Sequence, residues 1–556
     1  MKKTPIIWTL KKIRNRIPGL ILLSVLQICN SLCCVLFALG SRGVIDGAVS
    51  RDPELFRVAC LKQGAIICGI VLTMVLVRHL RDKLHAQLER DWKRRLLRGL
   101  LEGEYVRVRE YHSGELINRL NNDVNRLNEG ILGIIPNGLS TAARLFAAVV
   151  VMGMLDVRFM LLVGCFGVTV LVSAAVFRRK LKDLNKRVSE HDGKISGFIQ
   201  ETLEKLLIVQ AMDLSEEVAG RTDRLLDQRY DLHRRRKNAS LAANSGIQML
   251  TYGAWFLALC WCGKSLMVGT MSFGAMTAVM QLVGQLQGPL VGLSGILPQY
   301  TAATASAERL MELEEIPAEA RRTAAAPEEL YRRMDAICAE NLSFSYDREK
   351  VLDGATFEIR KGSFAVIIGA SGIGKSTILK LLLGIYPPGN GKICLKTRGG
   401  EIPVDRSLRG LFAYVPQGNL LFSGTIRENL TMVKPEATEE EIMQAVHVAA
   451  ADQFLSEIPG GLDGIIGENG AGLSEGQGQR LAIARAVLGG APVLLLDECT
   501  SALDTETEEL VLQRIGNLED RTCIAVTHRP GARKLADVEL MVKNGRVSGC
   551  FVDSGM

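Results

Sequence analysis

The sequence predicts a membrane domain of six α-helical spans followed by an α/β domain built on a glycine-rich phosphate-binding loop. Three observations carry that prediction. Up to about residue 300 the chain repeats apolar runs near 20 residues long, the length an α-helix needs to cross a hydrocarbon core of about 30 Å. Beyond residue 336, short β-rich runs at 364–368, 493–496 and 523–526 alternate with helical stretches, as buried parallel strands do. The first of these leads straight into Gly369-Ala370-Ser371-Gly372-Ile373-Gly374-Lys375-Ser376-Thr377. The expected boundaries are 1–313 for the membrane domain with its long cytoplasmic loops, 314–335 for a linker and 336–556 for the nucleotide-binding domain.

The apolar runs lie near residues 18–39, 58–77, 134–155, 159–177, 246–262 and 273–297. The first follows Lys2, Lys3, Lys11, Lys12, Arg14 and Arg16 but is longer than a signal-peptide core and lacks a small-residue cleavage site, so it reads as a retained span. Basic residues cluster after the second run (Arg90, Lys93, Arg94, Arg95, Arg98) and after the fourth (Arg178, Arg179, Lys180, Lys182, Lys186, Arg187). The positive-inside rule puts both loops and the N-terminus in the cytoplasm. Within those loops Leu116, Leu120, Val124, Leu127 and Ile131 recur at helical spacing, as do Ile195, Ile199, Leu203 and Leu206, so the spans are expected to continue as helices beyond the bilayer. Residues 314–335 are polar and alanine-rich, with Pro317 and Pro327 as breakers.

Composition agrees with a mixed membrane and soluble chain. Of 556 residues 47% are hydrophobic and 23% charged, which excludes a disordered or collagenous protein. Sixty-seven basic against 60 acidic side chains leave +7, too mild for nucleic acid to be the principal partner. The 13 cysteines are odd in number, and Cys29, Cys33, Cys34, Cys68, Cys165, Cys260 and Cys262 fall in apolar stretches. They read as small hydrophobes, and no C-x-x-C pair stands beside a second pair or a histidine pair at zinc spacing.

The loop at 369–377 has strand–loop–helix context. Its glycines let backbone N–H groups face phosphate oxygens, Lys375 offsets β- and γ-phosphate charge, and the Ser376 hydroxyl suits Mg²⁺. A second apolar strand ends in Asp497-Glu498. Adjacent side chains at a strand end point apart, which suits two tasks: Asp497 holding Mg²⁺ through water, and Glu498 polarising an attacking water.

Together these residues resemble the ATP-binding cassette transporters, specifically half-transporters of the exporter architecture. Leu473-Ser474-Glu475-Gly476-Gln477 looks like the family signature, Ser501-Ala502-Leu503-Asp504 like the loop after the second Walker motif, Gln417 like the loop glutamine and His528 like the switch histidine. The resemblance covers nearly the whole chain. It implies that Tyr346 stacks on adenine, that Ser474, Gly476 and Gln477 face the γ-phosphate of an ATP held by a second cassette, and that Asp504 belongs to the same nucleotide site. It further implies that Gln417 touches Mg²⁺ and the attacking water, and that His528 orients Glu498 and that water. Tyr111 to Leu116 resembles the first coupling loop, and 208–215 falls where the second stands. In one departure, Glu475 occupies a position where the family usually has glycine.

The resulting expectation is an ATP-driven transporter using ATP and Mg²⁺ that dimerises in the lipid bilayer, with a homodimer preferred and a heterodimer compatible with the same residues. Export of a small molecule, lipid or peptide is the expected direction; the alternatives are an exporter-fold importer and a membrane-bound regulatory ATPase without transport. A bacterial plasma membrane, with N-terminus and ATPase domain cytoplasmic, is the expected location. Arg144, near the middle of the third run, either faces a central cavity or pairs with another helix, with packing preferred. Gln27, Asn30, Ser31, Thr277, Gln281 and Gln285 either line a pathway or bond between helices.

Overall fold

The computed structural model describes residues 4–319, 326–346, 349–418, 421–467 and 470–551. It contains two compact bodies, one formed by the helices up to Leu101 with His112–Glu315, the other by Glu102–Tyr111 with the chain from Ile316 onward.

The first body is helical: α1 (Pro5–Lys12), α2 (Ile17–Val49), α3 (Pro53–Glu102, whose last residue belongs to the second body), α5 (Ser113–Asn118), α6 (Val124–Leu155), α7 (Val157–Glu204), α8 (Leu206–Ala211), α9 (Ser215–Met267) and α10 (Phe273–Glu314). Each of the six apolar runs lies within one long helix: α2, α3, α6, α7, α9 and α10. The 50 residues of α3 would extend about 75 Å at 1.5 Å per residue, more than twice a bilayer core. Side chains of Arg178, Arg179, Lys180 and Lys182, and of much of 162–182 and 287–297, lie outside the described residues.

Two short connections are stapled by carboxylates. Asp156 caps α7 by accepting from the backbone N–H groups of Arg158 and Phe159, and also accepts from the Trp261 indole at 2.9 Å. Asp46 accepts from Gly274 N at 2.9 Å and Ser272 Oγ at 3.0 Å. An apolar cluster that includes Met152, Phe159, Cys262 and Leu282 packs nearby. Helices α6 and α10 approach closely at Gly130, where a Cβ would stand 2.4 Å from that of Ala303. Near this crossing a π-helical turn, Arg119–Asp123, carries two buried charges. Asp123 binds Arg309 and Ser306, while Arg119 binds Glu115 and Glu312, so neither charge is buried without a partner. Of the polar residues in the spans, Asn30 donates to Thr73 Oγ1 and Gln285 to the Cys34 carbonyl, both between helices. Arg144 Nε is buried with no hydrogen-bond partner among the described residues.

The second body begins with α4 (Tyr105–Arg109) and, after the bend near residue 317, continues with α11 (Pro327–Arg333). Thus part of the stretch expected as linker is packed structure: Pro327 starts α11, and Leu330 and Tyr331 are buried in the core below. Residues 320–325 lie outside the described residues. The strands are β1 (Met334–Tyr346), β2 (Glu349–Arg360), β3 (Phe364–Ile368), β4 (Asn390–Thr397), β5 (Gly400–Pro403), β6 (Phe412–Val415), β7 (Gly424–Thr425), β8 (Ile465–Ile466), β9 (Val493–Asp497), β10 (Thr522–Val526), β11 (Val538–Lys543) and β12 (Arg546–Phe551). Between them stand α12 (Lys375–Leu382), α13 (Ile426–Thr431), α14 (Glu439–Val448), α15 (Asp452–Leu455), α16 (Glu475–Leu488), α17 (Thr505–Gly516) and α18 (Pro530–Lys534).

Two main sheets result. One has the order β2-β1-β4-β5 and is antiparallel; the other has the order β12-β11-β3-β10-β9-β6 and is parallel except for β12. The parallel sheet is buried on both faces. Phe364, Val366, Leu494, Leu496, Cys523 and Ala525 enter one core with α14, α16 and α17, while the alternating Ala365, Ile367, Val493, Leu495, Ile524 and Val526 enter another with β1, β2 and α12. That two-residue alternation explains why these strands are continuously apolar in sequence.

Candidate nucleotide site

Parallel pairing brings the carboxyl ends of β3, β10, β9 and β6 to one edge, in that spatial order. The phosphate loop follows β3, His528 follows β10, Glu498 follows β9 and Gln417 follows β6. The side chains join in the same order. Lys375 Nζ lies 2.7 Å from His528 Nε2, His528 Nε2 lies 3.3 Å from Glu498 Oε1, and Gln417 Nε2 donates to Glu498 Oε2 at 2.9 Å. Four segments remote in sequence therefore meet because neighbouring strands end side by side.

The phosphate loop uses backbone conformations suited to glycine. Gly372 and Gly374 have φ of +77° and +103°, and a Cβ on Gly374 would meet Val351 Cγ1 at 2.4 Å. Lys375 is buried and donates to the carbonyls of Gly369 and Ala370, each at 3.0 Å. Burial draws its ammonium below the usual lysine range, opposed by Glu498 and Asp497. Ser371 lies on the exposed part of the loop; Ser376 and Thr377 enter the first turn of α12, whose backbone donors and dipole favour an anion.

Ser376 Oγ donates to Asp497 Oδ1 at 2.7 Å. The other oxygen of Asp497 accepts from Tyr414 Oη at 3.0 Å. Tyr414, on β6, is a site residue that no sequence motif announced; burial and the adjacent Asp497 push its hydroxyl above the ordinary tyrosine range. The donor set is hard oxygen: a serine hydroxyl and a carboxylate, with the Gln417 amide joined to the next residue, Glu498. This suits Mg²⁺, which keeps several waters and phosphate oxygens rather than an all-protein cage.

Glu498 has φ +46°, left-handed for a non-glycine residue, and its N–H is tied to the Val526 carbonyl at 3.0 Å. The turn separates its side chain from that of Asp497 and costs roughly 1–3 kcal/mol, held by the surrounding packing.

The signature begins α16. Ser474 and Gln477 form a reciprocal capping box, with Ser474 Oγ accepting from Gln477 N and Gln477 Oε1 from Ser474 N. The serine keeps its hydroxyl hydrogen to donate elsewhere. Gly476 is required by packing: a Cβ there would lie 2.9 Å from the Ala502 carbonyl oxygen. Glu475 is exposed in the first helical turn, where a carboxylate complements the dipole. Gln479, unforeseen in the sequence, bonds Ser501 Oγ and Ala502 N, tying the signature helix to the next loop. Asp504 caps α17 by accepting from Thr507 N, a bond that lowers its carboxyl below the usual range.

Tyr346 packs edge-on against Phe344 and Tyr386, with centroids 4.9 and 5.3 Å away, and its hydroxyl lies 3.4 Å from Thr377 Oγ1. Tyr386 in turn meets Tyr105 edge-on and accepts from Arg109 at 2.9 Å. The segment joined to the ATPase body is thus 102–111, upstream of most of the expected coupling loop Tyr111 to Leu116; from His112 the chain belongs to the helical body. The place of this segment is set by long-range bonds: Gly103 bridges Ala318, Glu104 N donates to Pro317 O, and Arg406 donates to Glu102 O. The second expected segment, 208–215, takes in most of α8; Ile208 and Met212 within it and Leu207 just before it are exposed.

The chain matches the model of the ABC transporter transmembrane region over residues 20–290 and a second model, ABC transporter, over 352–501. It is 29% identical over 521 residues to an ATP-dependent lipid A-core flippase of Chromobacterium violaceum, covering 91% of this chain and 87% of that protein. It is 30% identical to the leukotoxin translocation ATP-binding protein LktB of a Pasteurella haemolytica-like species, over 69% of this chain but only 54% of that protein. Similarly, it spans half the length of ABC transporter B family member 1 of Dictyostelium discoideum, at 28% identity. In fold it is similar to a bacterial Atm1-family ABC exporter solved with ATP bound, with a TM-score of 0.78, 23% identity and coverage of 96% of this chain and 94% of that one. With the membrane region fused ahead of an ATPase domain of this geometry, the chain belongs to the ATP-binding cassette transporters, as an exporter-type half-transporter that couples ATP hydrolysis to transport.

Proposed function

We propose that two copies of this chain form the working exporter, each ATP held between the phosphate loop of one copy and the Ser474–Gly476 signature of the other. The observation that carries the reading is the unbroken row Lys375–His528–Glu498–Gln417, which couples a phosphate-binding cation, a carboxylate base and an amide reporter. In this scheme Lys375 leaves the loop carbonyls for the β- and γ-phosphates, while Glu498 accepts the proton of the attacking water. Gln417 and His528 hold Glu498 in position, and Tyr346 offers a ring to adenine. Ser376, Asp497 and Gln417 would hold Mg²⁺, which when bound offsets the charge on the phosphates. Ser474 donates across the dimer, and Asp504 keeps the adjoining loop in shape. The apolar tip of Leu207, Ile208 and Met212 is a surface that a second copy would cover.

The cargo class is a small molecule, lipid or peptide, and the proposed setting is a bacterial plasma membrane with the ATPase domain cytoplasmic. Export is tested by flux in oriented vesicles from the purified chain alone: ATP-dependent movement away from the ATPase side is expected, and reversed flux overturns the direction. ATPase activity appearing only when a different half-transporter is added would overturn the homodimer. Tyr414→Phe removes one of the two bonds holding Asp497; the Mg²⁺ concentration for half-maximal turnover is expected to rise roughly tenfold. An Mg²⁺ titration checks this.

A further inference from the structure

Helix α1 is amphipathic. Ile6, Ile7 and Leu10 are exposed, Trp8 and Thr9 are buried, and Lys11 and Lys12 close the helix. A short helix of this kind suits the plane of a membrane interface. It is anchored by stacking of Trp8 on Trp92 at 5.1 Å and by Glu314, which accepts from Trp8 and pairs with Lys12.

Between the end of α1, the turn at Arg14–Arg16 and α3 lies a cavity of about 460 Å³. Its lining includes Lys12, which pairs with Glu314, Arg16, which binds Asp91 at 2.7 Å, and Arg94, Arg95 and Arg98. Arg94 has no ion-pair partner among the described residues, and Arg95 lies over the Trp92 ring at 5.6 Å without a carboxylate. Trp92 also lines this cavity; it is 2% exposed, and its indole N–H has no hydrogen-bond partner among the described residues. A buried donor without an acceptor is costly, and beside several cations it asks for an anion with more than one oxygen.

A second cleft, of about 170 Å³, shares Ile13 with the first and is walled by apolar side chains including Ile6, Leu10, Ile131 and Ile135. Soluble phosphate has no use for that neighbour, whereas an acyl chain does. We infer that the basic cavity binds the phosphate headgroup of an anionic phospholipid, whose acyl chain lies along the apolar cleft beside α1. The lipid thereby bridges the first helix to α3 and supplies the acceptor that Trp92 lacks.

The test uses the full chain in nanodiscs of phosphatidylcholine with phosphatidylglycerol, reading retained lipid by native mass spectrometry. Nanodiscs present both leaflets, so the result does not depend on membrane orientation or transport direction. The unmodified chain should retain phosphatidylglycerol preferentially. Arg94→Gln with Arg95→Gln, exposed positions whose change leaves the fold intact, should reduce that preference roughly tenfold. Trp92→Phe, which keeps an aromatic ring for stacking and deletes the indole N–H, should reduce it in part. Equal retention of both lipids by the unmodified chain, or an unchanged preference in the double variant, overturns the proposal. Displacement by soluble glycerol 3-phosphate overturns the lipid assignment in favour of a free phosphate ligand.

Discussion

Glu498→Gln is expected to lower ATP turnover by roughly 10²- to 10⁴-fold, the usual contribution of a positioned general base. The substitution keeps side-chain size, so the left-handed turn at this position and its N–H bond to Val526 should survive. An amide can still meet Gln417, but it cannot take a proton from water at neutral pH. Nucleotide binding should persist, because the phosphate contacts come from the loop and Lys375 rather than from Glu498. Comparing turnover and binding of a fluorescent ATP analogue in the same reconstituted protein separates the two effects. Unchanged turnover would assign the base elsewhere, and lost binding would make Glu498 part of the phosphate cradle.

Gly374→Ala is expected to disrupt the phosphate loop. At φ +103° an alanine is strained, and its Cβ would fall 2.4 Å from Val351 Cγ1. Left-handed backbone costs an L-residue about 1–2 kcal/mol, and overpacking typically adds about 1–3 kcal/mol. Relief of that contact requires movement of the loop immediately before α12, which moves the amides that face phosphate. ATP affinity should therefore fall at least tenfold, accompanied by a lower unfolding temperature of the ATPase body. Thermal unfolding with and without ATP checks both: the unmodified protein gains stability from nucleotide, whereas the variant should gain little.

What was legible in the sequence was what contiguous segments carry. The phosphate loop, the strand ending in Asp497-Glu498 and the signature each announce themselves within a few residues, and each of the six apolar runs falls within one long helix, three of which are long and apolar enough to cross a bilayer among the described residues. Tyr414, Gln479 and the α4 contacts could not be read this way. Tyr414 matters because β6 pairs with β9, and Gln479 because α16 lies against the loop after β9. Likewise, α4 has no diagnostic composition; its attachment depends on Tyr386, Arg406 and residues 317–318, far along the chain. The region read as a linker concealed α11 for the same reason, since Leu330 and Tyr331 are apolar in a polar stretch and gain meaning only beneath the sheet.

Strand order also has a consequence for biosynthesis. β3, at 364–368, carries the phosphate loop but is flanked in the sheet by β10 and β11, at 522–526 and 538–543. While a ribosome is still making the intervening helices, this apolar strand has neither lateral partner, and such unpaired edges favour aggregation. The sheet must close late, through contacts of high sequence separation that slow folding. Nascent chains halted before residue 522 should consequently be insoluble or chaperone-bound in their ATPase portion, and competence to bind ATP should arise abruptly once β10 and β11 emerge.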